Sequence, residues 1–582
     1  MNLANLGITG LFAAQKRMQV TGHNINNIDT AGYNRQSVLV ETAGSVGSGN
    51  GYYGRGVQVV TVQRSYDNFL YQQLVRSQTT GAALVSYGTE IAQLDNLFSD
   101  RTVGVSPALQ NFFNGLEAVA SQPADPSARQ ELLGRAESLA TQIRDATSYM
   151  NRVNENINTQ VGTTVTQINS YLERIDNVNK QIVAAKGTTP GHEPNDLLDQ
   201  REQLVSELGQ LIDVRTVEQD GRMSITTAGG QMLLGGESIY PLHAVRSAEN
   251  PERMVVGFTS ALNVDGKMVV SEFREGTIKG GTLGGLLQFR QESLEPAINA
   301  LGRLAVGLAH TVNDIHRQGV DLKGEAGKDM FSVSGPKVIA NGNNPASSGT
   351  YPDDLGVSFY KDLIDPTDLS KGYTQPVDKL TGDNYRIERV DDRFQLRNLT
   401  SNEVTALNGP EENDGITRVD GLEIDVSGLK TKSQNGDSWL IQPTSNAGSS
   451  LQVEIKRPQD IAAADKSMAE ADKEIGSANG GIAQKLANLR NTKVLADGSL
   501  SLNDSFGQIV NRIAVQTQQN GTAAKAQLKL IEQNYAAQQT LSGVNKDEEY
   551  IMLQRYQEQY QAAARLIDVS SQMFDTLLGL RS

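Results

Sequence analysis

Residues 553–577, LQRYQEQYQAAARLIDVSSQMFDTL, place Leu553, Tyr556, Tyr560, Ala563, Ile567, Ser570, Phe574 and Leu577 at steps of three and four. The flanking positions are Gln, Glu, Arg and Asp, so this is a helix with one heptad seam. The opposite end of the chain carries a second seam: Gly7, Leu11, Ala14, Met18, Thr21, Ile25 and Ile28 step by four and three. It is a weak seam, because small residues hold several of its core positions. Short isolated helices are marginal in water. Both ends therefore need a partner, either each other or neighbouring copies, and about 40 residues at each end are expected to be loose until they find it.

Between the ends, the longest periodic run spans about 125–186. Pro126 suits an early helical position and Asp125 or Ser127 can cap it. Leu132, Ala136, Leu139, Ile143, Ala146, Met150, Val153 and Ile157 keep one register. A second four-residue step to Val161 is a stutter, after which Thr164, Ile168, Tyr171, Ile175, Val178 and Ile182 continue. The run stops at KGTTPG, and NDLLDQREQLVSELGQLI is expected to fold back on it. Alternating, Gly- and Thr-rich sequence follows and reads as strands. Helix returns at GGLLQFRQESLEPAINALGRLAVGLAHTVNDIHRQG. A Gly-, Asn- and Asp-rich stretch with short strands then holds Trp439, the one tryptophan, before helices resume from about 458 to 540.

The fold class expected is mainly α with β insertions: terminal coiled-coil helices, a long-helix bundle domain built from both halves of the chain, and an inserted β domain. The domains expected are 1–40 plus 541–582 as the terminal coiled coil; 41–325 plus 451–540 as the helical domain, with a small β part at about 212–280; and 326–450 as an outward insertion.

Composition removes several function classes. The 582 residues hold 52 basic and 67 acidic side chains, a net charge of −15, and no basic run, which makes nucleic acid a poor partner. There is no cysteine, so disulfide frameworks, zinc ribbons and thiol catalysis are excluded. No apolar run reaches the roughly 20 residues of a membrane span, and Lys16-Arg17 follow GLFAA rather than precede it, against a signal peptide. The five histidines, His23, His192, His243, His310 and His316, form no metal or triad spacing. GGQMLLGG lacks the Gly-Lys-Ser/Thr ending of a phosphate loop, and Asp391-Asp392 reads as a solvated hairpin turn. Neither a cofactor nor a metal is expected.

One more stretch decides the functional reading. GHNINNIDTAGYNRQSV (residues 22–38) ends the first helix in three asparagines and a Thr-Ala-Gly-Tyr turn. It resembles the segment shared by axial proteins of the bacterial flagellum. Further stretches narrow the resemblance to the flagellar hook-associated protein 1 family, the hook–filament junction subunits. They are SQPADPSARQELLGRAESLA, NDLLDQREQLVSELGQLIDV, the segment from Leu283 to Phe331, GDSWLIQPT and the segment from Ser542 to Leu580. The likeness spans nearly the whole chain except much of about 335–430.

The resemblance implies a structural, non-enzymatic subunit, exported unfolded without a cleaved signal peptide and extracellular in the flagellum. It implies a ring of copies at the hook tip, contacts to hook protein and to the next junction protein, and a cytoplasmic export chaperone on the C-terminal helix. The candidate N-terminal assembly residues are Leu11, Met18, Asn24, Ile25, Asn26, Asn27, Ile28, Gly32 and Tyr33. The candidate C-terminal assembly and chaperone-binding residues are Leu553, Tyr556, Tyr560, Ala563, Ile567, Phe574 and Leu577. Gly32 is expected to be the left-handed residue after the helix, and Asn24, Asn26 and Asn27 to bond freed carbonyls or neighbouring subunits. The alternatives are a hook or filament subunit, or an exported adhesin or hydrolase with its activity in residues 326–450.

Overall fold

The computed structural model describes residues 3–49, 51–99, 104–262, 268–274, 276–344, 355–360, 362–363, 373–374, 377–409, 415–429, 433–465 and 479–580. The chain opens with helix α1 (Leu3–Asn26). Four strands follow: β1 (Gln36–Thr42), β2 (Ser45–Ser48), β3 (Gly51–Gly54) and β4 (Val57–Arg64). β1 pairs antiparallel with β4, and β2 with β3 as a hairpin between them. The exit from the first helix is extended, as β1. The helix itself stops at Asn26, so Ile28, placed on its seam by the heptad count, lies beyond it and is exposed.

Helices α2 (Asn68–Ser99), α3 (Val105–Ser121) and α4 (Pro126–Thr188) build the body. α4 has 63 residues and so runs roughly 95 Å. Pro126 occupies its first turn, and the Asp125 carboxylate caps it by accepting from Ser127 N–H at 3.0 Å. Its buried face follows the expected register through the stutter at Val161, with Leu172 buried where Tyr171 was expected. The chain reverses over 189–194, and α5 (Asn195–Leu211) packs back on α4. Buried Arg201 ties the two together, donating to Asn179 Oδ1 at 3.3 Å and to the Gly221 carbonyl at 3.0 Å.

Strands β5 (Val214–Gln219), β6 (Arg222–Thr227), β7 (Met232–Gly235) and β8 (Ser238–Ile239) form one antiparallel sheet in sequence order. β9 (Leu242–Arg246), β10 (Met254–Leu262) and β11 (Met268–Glu272) form another, with β10 central. Helix α6 (Gly281–Phe289) then runs through a π turn, Arg290–Leu294, into α7 (Glu295–His316). Pro296 has no N–H to give to the carbonyl of Glu292. Gln516 Nε2 supplies that bond instead, at 3.1 Å.

The chain leaves and re-enters the body through three successive antiparallel pairings: 319–320 with 464–465, 331–332 with 452–453, and 337–340 with 438–442. The last belongs to a five-stranded sheet with 385–390, 393–398 and 404–406, and 356–359, 416–419 and 422–425 form a three-stranded one. Asp391 and Asp392, at φ 48° and 62°, make the two-residue turn expected of them. Trp439 is fully buried. After the short helix α8 (Ala447–Ser450) come α9 (Gly481–Asn488), α10 (Leu502–Ser542) and α11 (Lys546–Gly579). Within the segment expected to resume helix at about 458, residues 458–460 are a 3-10 turn and 466–478 lie outside the described residues. One continuous apolar core joins α2–α7, α9, the start of α10 and the strands around Trp439. The fold is mainly α with β insertions.

Candidate assembly site at the paired termini

The two terminal helices are each other's partner within one chain. α1 and α11 pack antiparallel, with contacts that recur every seven residues on each helix. Ala4 N–H donates to Ser570 Oγ at 3.1 Å. A Cβ on Gly7 would lie 2.6 Å from Ile567 Cγ1 and 2.9 Å from the Ala563 carbonyl oxygen, and one on Gly10 3.4 Å from Ala563 Cβ. Arg17 donates to Gln559 Oε1 at 3.3 Å and covers the Tyr556 ring at 5.3 Å. The small residues that make the N-terminal seam look weak are what lets the helices approach closely. Ala563 and Ser570 are buried, Leu11, Met18, Ile25, Leu553, Tyr556, Tyr560 and Ile567 are half-buried, and Asn26 is exposed.

Large apolar side chains on and beside this seam are left uncovered. Phe574 is 60% exposed and Leu577 64%, with Phe12, Leu566, Val569 and Met573 also exposed. The C-terminal stripe expected from the heptads is covered along only part of its length. Ala563, Ile567 and Ser570 meet α1, and Phe574 and Leu577, one heptad on from Ile567 and Ser570, continue the stripe past Leu3 and are exposed.

The asparagine-rich turn closes the inner end of the pair. Gly32 has φ +77°, as expected. Asn27 Nδ2 caps α1 by donating to the His23 carbonyl at 3.0 Å. Asn24 is no cap. It is buried, donates to the Gln36 carbonyl at 2.9 Å and Glu549 Oε2 at 3.1 Å, and accepts from Gln36 N–H at 3.0 Å and Tyr33 O–H at 2.8 Å. Arg35 Nε donates to Glu549 Oε1 at 2.7 Å, and its backbone N–H to the Ser542 carbonyl at 2.8 Å. The turn thereby holds the start of α11.

Its other side is fastened to α5. Asn34 donates to both oxygens of Asp199, from N–H at 3.0 Å and from Nδ2 at 2.6 Å. Gln36 Nε2 donates to Asp196 at 2.7 Å. Arg64, at the end of β4, reaches Asp199 at 2.6 Å and Glu202 at 3.0 Å. One guanidinium thus serves two buried carboxylates. Burial, partly offset by Asn34 and Arg64, holds the Asp199 carboxyl above its usual range; burial also raises Glu202, against Arg64. Burial, then Asp196, Asp199 and Glu549, pushes the Tyr33 hydroxyl well up, so it stays a donor to Asn24. These groups are engaged with one another, an arrangement suited to fastening elements together.

Sequence reading found Asn24, Asn27, Gly32 and Tyr33 but missed Asn34, Arg35, Arg64, Asp199, Glu202 and Glu549. The available signal was charge on the buried side of NDLLDQREQL, where Asp199 and Glu202 flank apolar positions. His316 is a satisfied core residue: Nδ1 bonds the Lys328 carbonyl at 2.5 Å and Nε2 accepts from Ala462 N–H at 2.8 Å.

Residues 91–331 match the family model described as the flagellar hook-associated protein FlgK helical domain. The chain is 35% identical over 581 residues, 100% of each chain, to flagellar hook-associated protein 1 of Salmonella typhimurium. It is 33% identical, again over 100% of each, to that of Escherichia coli. Among solved structures it is similar to the flagellar hook junction protein FlgK from Burkholderia pseudomallei, at 26% identity and TM-score 0.69, covering 81% of this chain and 100% of that one.

Proposed function

Because the chain belongs to the flagellar hook-associated protein 1 family, and is thus a structural subunit of the hook–filament junction of the extracellular flagellum, we propose that its paired terminal helices are the part that assembles. Copies stand as a ring at the hook tip, with hook protein on one side and the next junction protein on the other, and without the ring filaments do not stay attached. The insertion, which lies within about 326–450, is an outward domain. The chain leaves the cell without a cleaved signal peptide, its C-terminal helix held beforehand by a cytoplasmic export chaperone. It carries no enzymatic activity.

The observation that supports this reading is the uncovered apolar surface that the α1–α11 pair carries where its C-terminal stripe runs past α1. Exposed apolar area of this kind is buried when a partner is present. It lies on the element that the polar turn anchors to the body, so a load on the pair passes into α5 and α4. Of the candidate residues, Phe574 and Leu577 supply the contact between copies, while Ala563 and Ile567 hold the pair together.

The test pairs two substitutions. Phe574→Asp is expected to leave the melting temperature of the purified chain within about 1 °C, since its side chain is exposed, while a strain carrying it builds hooks, sheds flagellin and bears few filaments. Ile567→Asp places a charge against Gly7 and is expected to free both termini in the monomer. Normal filament numbers with Phe574→Asp would remove the uncovered surface from the assembly.

A further inference from the structure

A cleft of about 590 Å³ opens between α7, α10 and the insertion around residues 378–386. Several of its charges are already matched. Arg253 pairs with Glu295 at 2.5 Å and Arg386 with Glu249 at 2.6 Å. Asp383 accepts from the neutral Asn398 Nδ2 at 2.9 Å and keeps its charge. Arg303 of α7 and Arg512 of α10 differ: neither has a hydrogen bond or ion pair to a described residue, and Arg303 Nε is buried without a partner.

Of the charged neighbours of Arg303, Arg512 acts on it most strongly. The Arg303 guanidinium is held below the usual range first by burial and then by Arg512, whose repulsion outweighs the attraction of Asp383. Asp378 and Asp497 also line the cleft, but neither is among the groups acting on Arg303. A neutral donor is at hand: Asn384 Oδ1 already accepts from Asn299 Nδ2 at 3.1 Å, which leaves its own NH2 group to face a ligand.

A half-buried guanidinium with an unpartnered Nε, crowded by a second cation that outweighs its one acidic neighbour, is costly to keep. Two arginines lining one cleft can grip an oxyanion through charge-assisted hydrogen bonds. We propose that Arg303 and Arg512 form a binding site for an oxyanion, a carboxylate or phosphate group, in the cleft between the helical body and the insertion. The group comes either free from solution or on an acidic side chain of an adjoining copy. Such a bond would fix the insertion relative to α7 and α10.

The purified full-length chain is titrated with inorganic phosphate and with citrate, against chloride at matched ionic strength, by calorimetry and by melting. Saturable binding that weakens about tenfold in Arg512→Gln and returns in part with Arg512→Lys supports the site with a free anion. Arg512 is exposed, so its replacement leaves the fold intact; Arg303→Gln is expected to give the same loss. If neither anion binds, yet Arg512→Gln abolishes filament retention and Arg512→Lys restores it, the oxyanion is a carboxylate of an adjoining copy. The proposal is overturned if neither anion binds and Arg512→Gln cells retain filaments normally. The titration is independent of the flagellar reading, so the two fail separately.

Discussion

At the scale of the residue, two buried polar side chains carry unusual weight. Asn24 makes four hydrogen bonds, and its one amide both donates to the Gln36 carbonyl and accepts from the Gln36 N–H. Asn24→Ala leaves those groups, the Tyr33 hydroxyl and Glu549 short of a bond, and an unsatisfied buried group costs about 1–3 kcal/mol. The expected outcome is about 3 kcal/mol lost from docking of the turn, read as faster exchange of the Gln36 amide with the body unaffected. An amide of Gln36 that stays protected would refute this role. His316 gives a pH effect whose sign follows from its burial. Burial, opposed by its bond to the Lys328 carbonyl, pushes its pKa down to about 4. The unfolded chain takes up this proton near the ordinary value of about 6.5 and the folded chain does not until about 4. Stability from this group is therefore present above about 6.5 and lost as pH falls toward 4, by about 3 kcal/mol in all. Melting from pH 7 to 4 should fall more steeply in the parent chain than in His316→Gln, and equal slopes would refute it. The sequence pointed to Asn24 but not to its partners, and gave no sign of the burial of His316. The partners of Asn24 and Asn34 lie as far as 525 and 165 residues away, and a histidine's burial cannot be read from its spacing.

At the scale of the element, the heptad count identified both terminal helices and the register of α4, because in each the apolar positions fall on one face of the helix, even where, as in α4, that face meets several elements. α2 shows where that method stops. Its contact with α10 is made of small residues and amides: Gly81 sits under Ile531, Asn520 Nδ2 donates to the Leu84 carbonyl at 3.0 Å, and Gln527 Nε2 to the Ser77 carbonyl at 2.9 Å. A seam of that composition leaves no apolar stripe to count. The α1–α11 seam is half of this kind, which yields a further prediction. Gly7→Val puts methyl groups where Ile567 and the Ala563 carbonyl already stand. It should splay the pair at a cost of about 2 kcal/mol, as overpacking does. Limited proteolysis should then trim both ends sooner while the body melts unchanged. Trimming at the parental rate would show that the pair tolerates separation at this level.

At the scale of the whole molecule, the question is where the insertion parts from the body. Sequence composition put the limits at about 326 and 450, where Gly-, Asn- and Asp-rich sequence begins and ends. The packing argues for narrower limits. Met330 and Phe331 are buried, with Phe331 against Phe112 of α3 at 5.6 Å between ring centres. Asn313 of α7 bonds both their amides, at 2.8 and 3.0 Å. On the returning strand Thr444 Oγ1 donates to the Asn299 carbonyl at 2.9 Å, and the Thr444 carbonyl lies so close to Gly302 that no Cβ fits there. These residues belong to the helical body although they fall inside the compositional boundary. Composition could not reveal this, because the strands that cross between the two parts share the polar character of the insertion while one or two side chains in each serve the core. Two deletions distinguish the limits. Joining Ala340 to Ser438 keeps all three crossing pairs, and is expected to preserve the helical circular dichroism with a lowered melting temperature, since Trp439 loses Phe394. Removing 326–450 strips Phe331, Thr444 and Ala447 from α3, α4 and α7, and is expected to lose much of the helical signal. If both variants keep it equally, the body ends where composition placed it, and the buried crossing strands are dispensable to its folding.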